Sequence, residues 1–248
     1  MTYETTKTLA LTTITILIAS IASTSVLLMQ TADAAQCPTA NNGLNRCYAT
    51  HTFYPSSTKY YLAAKSTHKV FQNVVDNGYV GSPIWGYTTN VPPVLLEVGW
   101  RDTPGFSTNA QFYTAKDGGL GNIILWGNPT HNTFYTFLID DINRDGTWIL
   151  SAGGTNQTYT VAGSATKLYI TKVGYEITYD NNAISTNEFK NLSGYRNGAW
   201  FLWNSADGTH PTDYEFPSRP PMFVNHCDGG SWSRVQAGML SSPPSTCS

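Results

Sequence analysis

Two glutamates lie in the middle of apolar stretches for which a strand is the expected structure. Glu97 lies in residues 94–100, and Glu176 lies in residues 169–179. Side chains alternate between the two faces of a strand, so in each stretch the large apolar residues share one face and the glutamate lies on the other. A glutamate at mid-strand is unusual, because Glu is depleted in strands and is costly to bury. The pattern leaves two interpretations: a solvated acidic face, or a functional carboxylate on an open face of a sheet.

A glycine lies two residues away from each glutamate, on the same face of its strand. Gly99 accompanies Glu97, and Gly174 accompanies Glu176. Two such strands could place a pair of carboxylates in one groove. Carboxylates held close together cannot both ionise easily, so they share a proton, and one can activate water while the other donates a proton. Two unrelated surface acids would give the same spacing, so that interpretation also stays open.

The elements that must position these glutamates are predicted to be β-strands throughout. Strand-like runs recur about every 10 residues with Gly, Asn and Pro between them, and no segment has a long helical pattern. We therefore expect an all-β, single-domain fold, an antiparallel double-sheet β-sandwich of jelly-roll or concanavalin-like type. Its core is expected in roughly residues 80–205, with residues 36–90 and 205–248 as edges pinned by disulfides. The predicted strands are 94–100, 110–115, 122–126, 133–140, 147–152, 157–162, 167–179 and 199–204.

The N-terminal residues predict export. Residues 9–29 are almost entirely apolar or hydroxylated and carry no charge, Lys7 precedes them, and small residues follow at 32–35. This pattern is typical of a secretory signal peptide, here residues 1–35, cleaved after Ala34 or Ala35. An uncleaved membrane anchor is the alternative, since the apolar run is long enough to span a bilayer. Cleavage is favoured, so residues 36–248 are expected to form one secreted domain with no stable membrane insertion.

Composition argues against nucleic acid as a partner. The chain has 14 basic and 16 acidic residues among 248, a net charge of −2, and no basic stripe. Only 12% of its residues are charged, well below the usual quarter or so. Polarity comes instead from Thr, Ser, Asn and Tyr, which is common at the surface of extracellular proteins.

The four cysteines are predicted to form disulfides. An even number in an exported chain indicates pairing, and three connectivities are possible. We predict two local loops, Cys37–Cys47 and Cys227–Cys247, because each would tie down a terminal segment poor in regular structure. No metal site and no cofactor are predicted, because the cysteines lack a C-x-x-C pattern and the histidines lack a ligand spacing. The histidines are His51, His68, His131, His210 and His226.

Several short motifs resemble those of neprosin-like secreted proteins and the related glutamic peptidases. Residues 95–100, followed by Pro104 and Gly105, resemble the E-x-G-W … P segment of the neprosin-like proteins. Residues 82–86 resemble the short Trp-containing strand that precedes it there. Residues 174–177 resemble the later G-x-E-[IV] segment, and also the x-E-W strand of the glutamic peptidases. The resemblance covers roughly residues 80–205.

The resemblance implies a double antiparallel β-sandwich with a peptidase dyad in its groove, Glu97 being the first carboxylate and Glu176 the second. It implies a secreted glutamic-type endopeptidase that acts on polypeptides, most active at acid pH, with Trp85, Trp100 and Tyr175 shaping the groove. One departure concerns the second strand. Lys172 and Val173 stand where the family often has Glu-Trp, and a Trp-Gly-Gly context is lacking. The alternative is a non-catalytic carbohydrate-binding or cell-surface module that binds polysaccharide on the same sandwich.

Overall fold

The structure, a computed structural model, describes most of the chain from Cys37 onward. All regular structure in the described residues is β, and no helix among them could cross a membrane. The predicted signal peptide lies outside these residues. The described residues are 37, 46–73, 75, 78–104, 110–117, 123–161, 167–179, 182, 184–210, 214–215, 222–228, 231–239 and 247.

The strands form two eight-stranded antiparallel sheets. In the first sheet the order is β13 (Gly208–Thr209), β1 (Cys47–Pro55), β10 (Leu168–Ile177), β3 (Val80–Thr88), β4 (Leu95–Asp102), β5 (Gln111–Lys116) and β6 (Ile124–Trp126), and β14 (Tyr214–Glu215) also pairs with β1. In the second the order is β15 (Met222–Asp228), β16 (Ser231–Met239), β11 (Asn187–Arg196), β2 (Ala63–Val70), β7 (Thr133–Asp140), β8 (Thr147–Ala152) and β9 (Thr155–Thr160), and β12 (Ala199–Leu202) also pairs with β11.

The core fills the space between the two sheets, which confirms the predicted β-sandwich. The inner strands direct alternate side chains into it, as the alternation of a strand requires. Burying each large apolar side chain contributes roughly 1.5–3 kcal/mol. The largest fully buried side chains include Trp100, Trp148, Trp203, Tyr61, Tyr175, Phe53, Phe137 and Phe189.

The terminal segments differ from the prediction. Residues 36–90 and 205–248 were expected at the edges, yet β2 lies between β11 and β7, β3 lies between β10 and β4, and β16 pairs with β11. The reason is visible in β2, which reads Ala-Ala-Lys-Ser-Thr-His-Lys-Val. Apart from Val70, its inward-facing positions are small or polar residues, so the apolar alternation that marks a strand in a sequence is weak there. Its neighbours in the sheet stabilise the strand.

Both predicted disulfides are present in the structure. Cys37 pairs with Cys47 at a Cα–Cα distance of 5.3 Å, and Cys227 pairs with Cys247 at 5.2 Å. Both distances lie in the range that a disulfide requires. Each bridge closes a short loop near one end of the described domain, as predicted.

Candidate active site

Glu97 and Glu176 lie on the same face of the first sheet, on strands separated only by β3. Glu97 on β4 is paired with Trp85 of β3, and Glu176 on β10 is paired with Gly81 of β3. The two partners are four residues apart along β3, an even number, so both glutamates are on one face. It is the face opposite the core row that contains Tyr175. The prediction that neither carboxylate belongs to a core row is therefore confirmed.

One row of residues across β4, β3 and β10 lies between the two glutamates, and it contains two glycines. We call this row the glycine level. Gly99 is paired with Pro83 of β3, and the register places Gly174 on the other side of Pro83. A Cβ atom on Gly99 would lie 2.5 Å from Pro83 Cα, and one on Gly174, whose φ is +150°, would lie 2.0 Å from the carbonyl oxygen of Ala49. Both positions require glycine because neighbouring backbones approach so closely. As a result, no side chain larger than proline stands at this level of β10, β3 and β4.

Glu176 is held by a cation and a phenol. The Arg46 guanidinium forms an ion pair with its Oε1 atom at 2.5 Å, and both side chains are buried. The Tyr79 hydroxyl donates a hydrogen bond to the same oxygen. Arg46 also lies over the Tyr79 ring, with 4.7 Å between the guanidinium carbon and the ring centroid. These contacts stabilise the charged form of Glu176.

Glu97 is held by neutral donors. The Tyr113 hydroxyl and the Trp85 indole N–H both donate hydrogen bonds to its carboxylate. Tyr113 is paired with Gly99, so its bond indicates that the carboxylate leans over the glycine level. Arg46 also acts on Glu97 through its charge. Arg46 therefore acts on both carboxylates, and the charge of Glu176 acts on Glu97 across the glycine level.

The electrostatics of the site favour one proton on the pair. Burial, and to a smaller extent the negative charge of Glu176, raise the pKa of Glu97 to about 8. Burial also raises the pKa of Glu176, to about 7, while the Arg46 guanidinium opposes the rise. The ion pair with Arg46 makes Glu176 the member of the pair that favours the ionised form. Burial and the nearby carboxylates also raise the pKa of Tyr113, which keeps its hydroxyl a hydrogen-bond donor.

The three residues predicted to shape the groove lie on different faces of the first sheet. Trp85 lies on the glutamate face, and its ring packs edge-on against Tyr48 with centroids 6.3 Å apart. Trp100 and Tyr175 do not line the groove, so that prediction is wrong. Both are fully buried between the sheets, where their rings meet edge-to-face at 6.1 Å. They occupy the core face because each is an odd number of residues from the glutamate of its own strand.

The sequence motifs did not include the residues that contact the two glutamates and affect their pKa values. Arg46, Tyr79 and Tyr113 lie outside the motifs, and only the fold brings them to the glutamates. Lys172, which stands where the resembled family often has Glu, is paired with Trp85 directly across from Glu97. Its ammonium group lies 5.2 Å from the centroid of the Tyr87 ring. The second carboxylate of this face therefore comes from Glu176, four residues farther along β10.

Three histidines that showed no ligand spacing in the sequence lie together in the structure. His51, His210 and His226 each have a ring nitrogen within 4.8 Å of one on the others. His51 is on β1, His210 directly follows β13, and His226 is on β15. Their separation along the chain explains why spacing missed them, because ligand-spacing patterns detect only residues close in sequence.

Three solved structures that share this fold are peptidases. Two structures of scytalido-glutamic peptidase, one with a peptide-based transition-state analog and one with a transition-state analog inhibitor, match at TM-scores of 0.54 and 0.55 with 8% sequence identity. SCP-B, a member of the eqolisin family of peptidases in complex with a tripeptide, matches at 0.51 with 9% identity. Each match covers 79% of this chain and 100% of the peptidase. No protein-family model and no curated protein matches the sequence.

The likeness to these peptidases shows a common fold, since the sequence identity is 8–9%. It agrees with the glutamic-peptidase side of the resemblance seen in the sequence. The resemblance to neprosin-like proteins in particular stays a prediction.

Proposed function

We propose that this protein is a secreted glutamic-type endopeptidase whose dyad is Glu97 and Glu176. The observation that carries the proposal is the pair itself: two buried carboxylates on one face of a sheet, with raised pKa values and with the charge of one acting on the other. A carboxylate pair that keeps one proton near neutral pH supplies a base and an acid at the same time. A purely structural ion pair between Glu176 and Arg46 would not need a second buried carboxylate, Glu97, beside it.

The two glutamates take different roles in the proposed reaction. Glu176, ionised first because Arg46 opposes the rise in its pKa, accepts a proton from the attacking water. Glu97, which keeps its proton, donates it to the leaving amide nitrogen as the carbon–nitrogen bond breaks. The pair ends with the proton on Glu176 instead of Glu97, and its exchange restores the starting state. The donors on Glu97, Tyr113 and Trp85, stabilise the carboxylate formed when it gives up its proton.

The comparisons support a polypeptide substrate and an extracellular location. The matched peptidases were crystallised with a peptide-based transition-state analog and with a tripeptide. The two disulfides fit an oxidising compartment, as the predicted signal peptide does. Trp85, on the same face as the dyad, is the groove residue that we assign to substrate contact.

The test is digestion of an unfolded protein by the purified, disulfide-bonded domain between pH 3 and pH 9. Glu97→Gln and Glu176→Gln keep the shape of each side chain and remove its proton chemistry. We expect each to lower kcat by about 10²–10⁴-fold, and the double variant to lose little more, because groups that act as one unit are not additive. Glu188→Gln is the control, since Glu188 lies in the second sheet and pairs with Arg234 at 2.5 Å.

The pH profile provides a second readout. The active pair holds one proton, so the wild-type rate must fall as pH rises past the higher pKa of the pair and also as pH falls past the lower one. Full activity in either Gln variant would disprove the dyad. If the wild type cleaves no peptide between pH 3 and pH 9 yet is retained on a polysaccharide, the binding-module alternative replaces the peptidase proposal.

A further inference from the structure

We propose that His51, His210 and His226 form a binding site for a divalent transition-metal ion of the zinc class. The three residues are 159 and 16 positions apart in sequence, yet their candidate ligand atoms all lie within 4.8 Å of one another. Their ring centroids are 4.6–4.9 Å apart. The site does not involve the glutamate pair, so it stands or falls independently of the proposed peptidase activity.

The strand faces direct two of these histidines toward each other across the sandwich. His51 is on the inward face of β1, in the row of Ala49 and Phe53, and it is fully buried. His226 is on β15 in the row of Val224, which also belongs to the core. Because β1 is in the first sheet and β15 is in the second, these two imidazoles meet from opposite sheets.

The third histidine is oriented by the backbone. His210 follows β13, which pairs with β1, and its Nδ1 atom lies 3.3 Å from the carbonyl oxygen of Thr52. A carbonyl can only accept, so Nδ1 carries the proton and donates, and Nε2 is the ring nitrogen that would bind a metal. A hydrogen bond of this kind to the second ring nitrogen is the usual support of a metal-binding histidine.

The distances suit one shared ion after a small adjustment. An ion at the centre of three atoms 4.8 Å apart would be about 2.8 Å from each, and a zinc–nitrogen bond is about 2.0–2.1 Å. Closing the site therefore requires each ring to move by about 0.8 Å, which side-chain rotation can supply. Three neutral imidazoles with a fourth position for water form a tetrahedral site for which zinc is well suited.

The surroundings are aromatic beside His51, which is buried, whereas His210 and His226 are partly exposed. The Trp203 ring lies 5.9 Å from the His51 ring, and the Trp232 ring lies 5.4 Å from the His210 ring. Aromatic rings of this kind limit solvent access on one side of a bound ion, and the partly exposed histidines leave a path for the ion and its water. An ion held here would link β1 of the first sheet to β15 of the second.

Metal binding is tested on the disulfide-bonded domain, produced without a polyhistidine tag and stripped with a chelator. We expect one Zn²⁺ per chain by elemental analysis after dialysis, and intense visible absorption bands when Co²⁺ replaces Zn²⁺. At a free Zn²⁺ concentration of 100 times Kd, the melting temperature should rise by about 5–10 °C. His210→Gln and His226→Gln should each weaken binding at least tenfold, and His131→Gln, a histidine outside the cluster, should bind as the wild type does.

A measurement on the wild type guards against a variant that fails to fold. In nuclear magnetic resonance spectra of the five imidazoles, Zn²⁺ should shift three and leave those of His68 and His131 unchanged. The proposal is overturned if stoichiometric Zn²⁺ fails to bind at 100 µM, if the resonances of His68 or His131 shift instead of the three, or if the cluster variants bind as tightly as the wild type.

Discussion

Replacing Glu97 with Gln should make the protein more stable at neutral and alkaline pH. The wild-type carboxyl has a pKa of about 8 in the folded chain, raised by burial and by the charge of Glu176 from a usual value of 4.5. Between these two values the folded state binds more protons than the unfolded state, so the free energy of unfolding falls as pH rises. Below about pH 4.5 both states are protonated and the penalty is absent. The Gln side chain does not titrate, so the variant escapes this loss.

The size of the effect follows from the shift in pKa. A shift of one unit corresponds to about 1.36 kcal/mol, so a rise from 4.5 to about 8 amounts to about 5 kcal/mol when Glu97 is fully ionised. At pH 7, where Glu97 is still protonated in much of the folded population, the same arithmetic gives a loss of about 3 kcal/mol in the free energy of unfolding. These are upper limits, because relaxation around an ionised carboxylate reduces the penalty.

The assay is urea unfolding of the wild type and of Glu97→Gln at pH 4, 7 and 9 with both disulfides intact. The difference in unfolding free energy between variant and wild type should grow in favour of the variant from pH 4 to pH 9. Glu188→Gln, which removes a partly exposed ion pair with Arg234, should show no such trend. A difference that is flat within 0.5 kcal/mol, or that grows in favour of the wild type, would refute the assignment of Glu97 as a buried, protonated carboxyl.

Two further predictions concern the backbone and the disulfides. Gly174→Ala should lower the free energy of unfolding by at least about 3 kcal/mol, because its Cβ would lie 2.0 Å from a backbone oxygen; Gly154→Ala, at φ +83° with nothing within 4 Å, should lose about 1 kcal/mol. Equal losses in urea unfolding would contradict the close approach of β1 and β10. Replacing Cys37 and Cys47 by Ser opens a loop of separation 10 and should lower the unfolding free energy by about 2.7 kcal/mol. Calorimetry that found no loss would contradict the expected contribution of the Cys37–Cys47 bridge.

The sequence by itself determined which residues share a face within a strand. Alternation placed Glu97 and Glu176 opposite their apolar neighbours, and the same rule explains why Trp100 and Tyr175 are core residues and not groove residues. The two disulfides were also predictable, because each joins cysteines close in the chain. The all-β fold followed from strand-like runs separated by turn residues. These features depend on local spacing, which the covalent chain carries.

Only the tertiary structure decided which strands are neighbours and in what register they pair. Glu97 and Glu176 are paired with residues of β3 that are four positions apart, so both lie on one face with the glycine level between them. Arg46 contacts Glu176 although 130 residues separate them, and His51 meets His210 and His226 from distant strands. Contacts of this kind arise when strands that are distant in the chain pair within one sheet or pack across the core, so the charges and imidazoles that they bring together have no counterpart in any local pattern of the sequence.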